Sequence, residues 1–108
     1  MSYAVETVPD FDRDARKLAK RYPSFGDDLA VLIADLEHDP HVGASLGSGL
    51  RKVRMAIASK GKGKSGGARV IIFLVEVDQR VVLLATYDKS DRATIPTKEL
   101  RERVAKIR

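Results

Sequence analysis

Positively charged side chains are concentrated in residues 49–73, where groups able to act on a phosphate lie close together. The seven cations of this segment are Arg51, Lys52, Arg54, Lys60, Lys62, Lys64 and Arg69. Because no Asp or Glu occurs from residue 41 to residue 75, that window carries seven positive charges on a chain whose net charge is +5. This focused charge indicates a polyanionic partner, with phosphate the first candidate. The alternative is a solvated loop whose lysines serve solubility.

Glycine and lysine alternate within residues 59–67, between two apolar runs. We interpret the glycines as a flexible hinge that lets the lysines follow a phosphodiester backbone. Gly63-Lys64-Ser65 resembles the end of a P-loop, but Ala58 stands where that motif needs a glycine, and a strand is predicted to follow instead of a helix. We therefore exclude a P-loop.

Arg69 begins one apolar run and Tyr87 ends the next. A two-residue turn at 78–79 would place these two residues nearly opposite each other on neighbouring strands. Lys52 and Arg54 would arrive from the strand on the other side of Arg69. Two interpretations stay open: a small basic site with one aromatic hydroxyl, or a strand-end ion pair for Arg69 with Tyr87 in the core.

Other catalytic groups are scarce in this chain. The absence of cysteine excludes disulfides and thiolate metal sites, and the two histidines are His38 and His41. Both lie at the end of a predicted helix, and imidazoles favour helix C-termini without binding metal. We predict no metal site and no cofactor, so any chemistry rests on Arg, Lys and Tyr, with Asp or Glu possible.

The elements that position these residues follow from periodicity and from turn residues. Strands are predicted at residues 2–8, 50–57, 69–77 and 81–87, and a loop at 41–49. Helices are predicted at 10–22 with Asp10 as N-cap, at 24–38, and near the C-terminus with Thr97 as N-cap. Alternation places Lys52 and Arg54 on one face of their strand, opposite Val53 and Met55.

This order predicts one α+β domain over residues 1–108. We expect a small, antiparallel-dominated four-stranded sheet with two N-terminal helices on one face and a C-terminal helix (β-α-α-β-β-β-α). The second face would be partly open or covered only by the last helix. The 44% apolar and 32% charged composition is that of a globular protein. No signal peptide or membrane span is predicted, so we expect a cytoplasmic protein.

Three blocks of the chain resemble the RelE/ParE superfamily of toxins from bacterial toxin–antitoxin modules. They are Gly-Leu-Arg-Lys-Val-Arg at 49–54, the hinge and following strand at 61–71, and Leu-Ala-Thr-Tyr-Asp-Lys at 84–89. The long glycine–lysine hinge is similar to that of the HigB-like branch. The resemblance implies a type II toxin that a cognate antitoxin neutralises, and a small sheet with two helices in front and a mobile last helix.

The resemblance further implies a ribosome-dependent, metal-independent mRNA endoribonuclease acting in the A site of the 70S ribosome. The ribose 2′-hydroxyl attacks the adjacent phosphate and leaves a 2′,3′-cyclic end. By position, the implied catalytic residues are Arg69, Arg54, Tyr87 and Lys89, and the implied RNA-binding residues are Arg51, Lys52, Lys60, Lys62 and Lys64. Arg69 matches the arginine that stabilises the transition state.

The chain departs from some members of that superfamily because no histidine follows His41. Arg, Lys and Tyr have high ordinary pKa values, so the resemblance leaves the general base open. Two alternatives remain at this point. One is a ParE-like inhibitor of DNA gyrase, and the other is a non-catalytic member that binds only RNA or an antitoxin.

Overall fold

The computed structural model describes residues 2–107. It contains five strands and three α-helices: β1 (Ala4–Thr7), α1 (Pro9–Arg21), α2 (Phe25–His38), β2 (Ala44–Gly47), β3 (Leu50–Met55), β4 (Ala68–Val75), β5 (Arg80–Asp88) and α3 (Thr97–Val104). Single 3-10 turns occur at Ala58–Lys60 and Glu76–Asp78. Within residues 2–107, no helix is both long and apolar enough to cross a membrane.

The strands form one sheet in the order β1-β5-β4-β3-β2. β1 pairs with β5 in parallel, and the three other pairings are antiparallel. The mixed α+β class is confirmed, but the predicted count of four strands is wrong, because β2 lies in the segment predicted as a loop.

Sequence periodicity missed β2 because all four of its residues are exposed and it lacks β-branched side chains. Its pairing comes from a tight hairpin instead. Ser48 and Gly49 both have positive φ, at 53° and 83°. Positive φ at both connecting residues is what a type I′ turn requires, and such a turn returns the chain antiparallel along the free edge of β3.

The helix pair packs on one face of the sheet. α1 packs along β5, and α2 packs against β1 and β3. Phe11 and Leu36 are among the fully buried side chains of this layer. In β3, Val53 and Met55 are buried while Arg54 between them is exposed, which confirms the alternation predicted for this strand.

Two predicted helix starts are corrected by one or two residues. α1 begins at Pro9 with Val8 as its N-cap, so Asp10 lies inside the first turn and is buried. Proline suits the first helical position because its missing N–H would have no helical partner. α3 likewise begins at Thr97, after Pro96 as N-cap.

The connection between β4 and β5 differs from the predicted two-residue turn. It spans residues 76–79 and includes Gln79 at φ 52°. The pairing also shifts between Ile71 and Ile72, which leaves Leu84 of β5 without a partner on β4. This bulge restores the predicted match at the far end of the hairpin, because it brings Arg69 directly opposite Tyr87.

The last helix is held by ion pairs with α1 and by a hydrogen bond to the backbone of the bulge. Arg103 donates hydrogen bonds to Asp14 Oδ2 at 2.7 Å and to the carbonyl oxygen of Leu84 at 2.8 Å. Lys106 donates to Asp10 Oδ2 at 2.7 Å. The side chain of Leu100 is buried. α3 therefore covers part of the sheet and leaves a groove beside it.

Candidate functional site

Three predicted site residues form one row across the sheet. Arg54 on β3 pairs with Arg69 on β4, and Arg69 pairs with Tyr87 on β5. Directly paired residues project from the same face of a sheet, so all three side chains leave the face opposite α1 and α2. Lys52 lies two positions from Arg54 and shares that face.

A groove of about 620 Å³ runs beside this row. Its lining comprises Val42, Gly43, Ala44, Lys52, Val53, Arg54, Lys64, Arg69, Lys89 and Ala93. Five of these residues are cationic, and none of the described lining residues carries a carboxylate. Low-dielectric walls that carry one sign of charge focus the field in a cleft, so the groove attracts polyanions.

Arg69 forms the floor of the groove and is only 4% exposed. Its guanidinium donates hydrogen bonds to the carbonyl oxygens of Lys64 at 3.1 Å, Ser65 at 3.0 Å and Ala68 at 3.2 Å. Within residues 2–107, no carboxylate pairs with it, so the strand-end ion pair considered above is wrong. Carbonyl dipoles satisfy its N–H groups without neutralising its charge, and the positive potential reaches the groove.

Tyr87 lies beneath the segment that follows β5 and is 6% exposed. Its hydroxyl donates to the carbonyl oxygen of Ala93 at 3.2 Å. Burial raises the pKa of Tyr87, although the nearby Arg69 and Arg92 oppose that shift. The hydroxyl is therefore protonated at neutral pH. Tyr87 is a core residue whose polar end meets the segment 89–96, and it is not part of the groove lining.

Lys52 shares the acceptor of Tyr87. Its Nζ donates to the carbonyl oxygen of Ala93 at 3.1 Å. Lys89 is exposed at the groove, and its backbone N–H bonds the carbonyl of Gly67 at 3.0 Å. Arg54 and Lys64 are also exposed there. In the described part of the chain, neither of these two side chains has a carboxylate partner.

Three predicted RNA-binding residues lie outside the groove lining. Arg51 donates to the carbonyl oxygens of Val42 and Gly43, at 2.8 and 3.1 Å. Lys62 is exposed in the glycine–lysine segment. The Nζ of Lys60 lies 2.5 Å from Asp88 Oδ1, and the Lys60 side chain is 12% exposed.

Sequence reasoning missed the buried acid that Lys60 contacts. Asp88 has no exposed surface, and it accepts hydrogen bonds from Lys60, Tyr22 and Ser90. Burial by itself raises the pKa of Asp88, but these hydrogen bonds outweigh burial and hold that pKa below its ordinary value. One signal was available: strand alternation sends the residue between Tyr87 and Lys89 to the helix-covered face.

Neither histidine is among the residues that line the groove. His41 contacts the carboxylate of Glu76 through Nε2 and that of Asp39 through Nδ1 at 3.3 Å. The hydrogen bond to Glu76 is the largest cause of a raised His41 pKa, with Asp39 adding to it. Among residues 2–107, no group of three or more His, Cys, Asp or Glu side chains has the arrangement of a metal site.

The family model described as "RelE toxin of RelE / RelB toxin-antitoxin system" matches residues 10–107. The chain belongs to the RelE toxin family. Residues 10–107 include all of α1 except Pro9, the basic row and α3, so the match covers both the groove and the elements that frame it. This RelE-family toxin is therefore the toxin of a toxin–antitoxin system.

Two solved structures share this fold. A mutant of the toxin RelE from E. coli, in the free state, superposes with a TM-score of 0.66 at 14% identity, with 100% of each chain covered. The RelBE2 toxin–antitoxin complex from Mycobacterium tuberculosis matches with a TM-score of 0.62 at 22% identity, over 87% of this chain and 95% of that one. At such low identities the likeness concerns the fold alone.

Proposed function

We propose that this RelE-family toxin is an mRNA endoribonuclease that acts on message in the A site of the 70S ribosome. The observation that carries the proposal is the direct pairing of Arg54 with Arg69 at a groove whose described lining residues carry no carboxylate. Two arginines at directly paired positions supply positive charge to a phosphate that gains charge in a transition state. Family membership supports the same conclusion.

The proposed reaction is transesterification within the RNA. The 2′-oxygen forms a bond to the adjacent phosphorus, the bond from phosphorus to the 5′-oxygen breaks, and a 2′,3′-cyclic phosphate results. The 2′-hydroxyl proton is removed, and a proton reaches the departing 5′-oxygen. No metal or cofactor takes part in the proposed reaction.

Arg54 and Arg69 have different parts in this proposal. Arg54 is exposed and binds the non-bridging phosphate oxygens, while Arg69 is buried and supplies fixed positive potential from below. Lys89 is exposed at the groove and is the proposed proton donor to the 5′-oxygen. Lys62 and Lys64 bind the flanking phosphates of the message.

Tyr87 and Lys52 act after a rearrangement in this proposal. Both side chains bind the carbonyl of Ala93 in the free protein. RNA phosphate competes with that carbonyl for the Lys52 amine. Movement of the segment 89–96 then opens the Tyr87 hydroxyl for base stacking or proton transfer. Arg51 and Lys60 support the RNA-binding surface at its edges.

We also propose that residues 1–108 form one toxin domain, located in the cytoplasm, and that a cognate antitoxin neutralises it by covering the basic groove. The RelBE2 toxin–antitoxin complex, which shares this fold, supports the proposal of an antitoxin partner.

The test is brief induction of the wild type and of Arg54→Gln in growing bacteria, with mapping of mRNA 5′ ends. We expect growth arrest and new cleavage ends in translated messages with the wild type, and loss of both with the variant. Arrest with intact message would favour DNA gyrase as the target. Full-strength binding to ribosomes without arrest would favour a non-catalytic member of the family.

A further inference from the structure

The carboxylate of Asp88 joins three segments, two of which contribute residues to the groove lining. It contacts Arg21 Nη2 at 3.3 Å and the Tyr22 hydroxyl at the end of α1. It contacts Lys60 Nζ at 2.5 Å, where the glycine–lysine segment begins. It also accepts from the N–H and hydroxyl of Ser90, at 2.9 and 2.8 Å, where the segment 89–96 begins.

Lys60 and Arg69 hold the two ends of the glycine–lysine segment. At its start, Lys60 is tied to Asp88 and also to the Ser90 hydroxyl at 2.5 Å. At its end, Arg69 binds the carbonyls of Lys64 and Ser65. Few residues separate these anchors, and each adds at most about 3.6 Å of reach. The anchors therefore limit where the exposed lysines of the segment can lie.

Asp88 cannot contact a ligand in the groove. Its neighbours Tyr87 and Lys89 project from the groove face, so alternation along the strand sends the Asp88 side chain to the helix-covered face. It has no exposed surface in the described structure. Any effect of Asp88 on RNA must therefore act indirectly, through the segments that it joins, of which the glycine–lysine segment is held by Lys60.

We propose that Asp88 is a positioning residue for the RNA-cleaving site, and that its bond with Lys60 sets the geometry of the glycine–lysine segment over the groove. This inference rests on the proposed function. Small displacements of positioned groups reduce turnover much more than they reduce binding, because the binding charges remain present. Loss of the Asp88–Lys60 bond therefore affects the rate of cleavage before it affects affinity.

The test compares Asp88→Asn and Lys60→Met with the double variant that combines them. Asp91→Asn is the matched control. Asp91 also pairs with Arg21, with Oδ2 2.6 Å from Arg21 Nη1, but its side chain is exposed. One readout is hydrogen exchange of the amides of Lys60, Gly61 and Gly67, which are hydrogen-bonded in this segment. The other is ribosome-dependent cleavage of a defined message, resolved into kcat and KM.

For Asp88→Asn we expect a fall in kcat of roughly 10- to 100-fold with KM changed by no more than about threefold. The three amides should exchange about tenfold faster or more, while amides in the centre of β5 keep their protection. Lys60→Met should give a similar pattern. The double variant should be no worse than either single change, because both remove one shared contact.

Three outcomes would overturn the proposal. The first is that folded Asp88→Asn exchanges these amides at the wild-type rate. The second is that the amides exchange faster while kcat stays at its wild-type value. The third is that the falls in kcat of the two single variants add in the double variant. If Asp88→Asn does not fold, Lys60→Met alone carries the same test, since it leaves Asp88 with Tyr22 and Ser90. If the wild type cleaves nothing, the proposed function fails, yet hydrogen exchange still tests the positioning.

Discussion

Arg54 and Arg69 lie directly opposite each other on β3 and β4, although both are positively charged. Like charges in directly opposed positions destabilise a sheet. Two features make the pair tolerable here: Arg54 extends into solvent, and Arg69 turns its guanidinium to three backbone carbonyls. A fold that keeps such a pair gives up stability at this point, which is the pattern of a functional site.

Replacing Arg54 with Gln should separate stability from activity. We expect the free energy of unfolding to rise by ~0.2–0.5 kcal/mol, because a repulsive cross-strand pair is removed. Cleavage of mRNA should fall at least about a hundredfold, because the exposed partner of the bound phosphate is lost. Urea denaturation and a ribosome-dependent cleavage assay measure the two effects. A variant that is less stable than the wild type would contradict the repulsion described above.

Replacing Arg69 with Lys should destabilise the protein even though the charge is kept. An ammonium group cannot reproduce the forked contacts to the carbonyls of Lys64 and Ser65. The unbonded carbonyls and the partly unsatisfied cation should cost roughly 1–3 kcal/mol in urea denaturation. Arg16→Lys, at an exposed site on α1, is the control and should change stability by less than about 0.5 kcal/mol. Equal urea midpoints for the two variants would show that the carbonyl contacts of Arg69 do not contribute to stability.

Binding of a single-stranded RNA should depend steeply on salt. Four exposed cations border the groove and its hinge: Arg54, Lys62, Lys64 and Lys89. If each neutralises one phosphate, log Kd should change with log salt concentration with a slope of about 3.

Lys64→Ala should reduce that slope by about 0.7, whereas Lys20→Ala, on the exposed face of α1, should leave it unchanged. Fluorescence anisotropy at several salt concentrations provides the slopes. Equal slopes for the two variants would place the RNA outside the groove.

His41 should titrate above its ordinary pKa. Its hydrogen bond to Glu76 favours the charged imidazolium, and Asp39 adds to that effect. Because the folded-state pKa is raised, the contribution to stability is complete below the ordinary value of about 6.5 and is lost as pH rises through the folded-state pKa. Glu76→Gln should lower the pKa of His41 in an NMR titration. An unchanged His41 pKa would show that the Glu76 contact is not formed in solution.

The pairing of β4 with β5 shows what local sequence patterns can and cannot predict. Sequence spacing predicted that Arg69 and Tyr87 lie nearly opposite each other, and they do. The predicted reason was a two-residue turn, whereas the structure has a longer connection compensated by a bulge at Leu84. A bulge leaves no local signature in an apolar run, because each residue there suits either register.

The environment of each charged side chain was less predictable. Lys60, Lys62 and Lys64 alternate with Gly61 and Gly63, and nothing in the local sequence distinguishes their environments. In the fold, Lys60 is paired with a buried acid, while the other two are exposed. The difference depends on Asp88, which is 28 residues away along the chain.

What the sequence determined by itself was the direction of side chains and the concentration of charge. Alternation assigns Lys52 and Arg54 to one face of β3 because the strand backbone turns successive side chains to opposite sides. The composition of residues 41–75 makes the segment positive in any conformation. Tertiary structure alone decided which cations face the groove and which are neutralised, since that depends on partners from distant segments. It also decided that β2 is a strand, because its pairing energy comes from the free edge of β3 and not from its own residues.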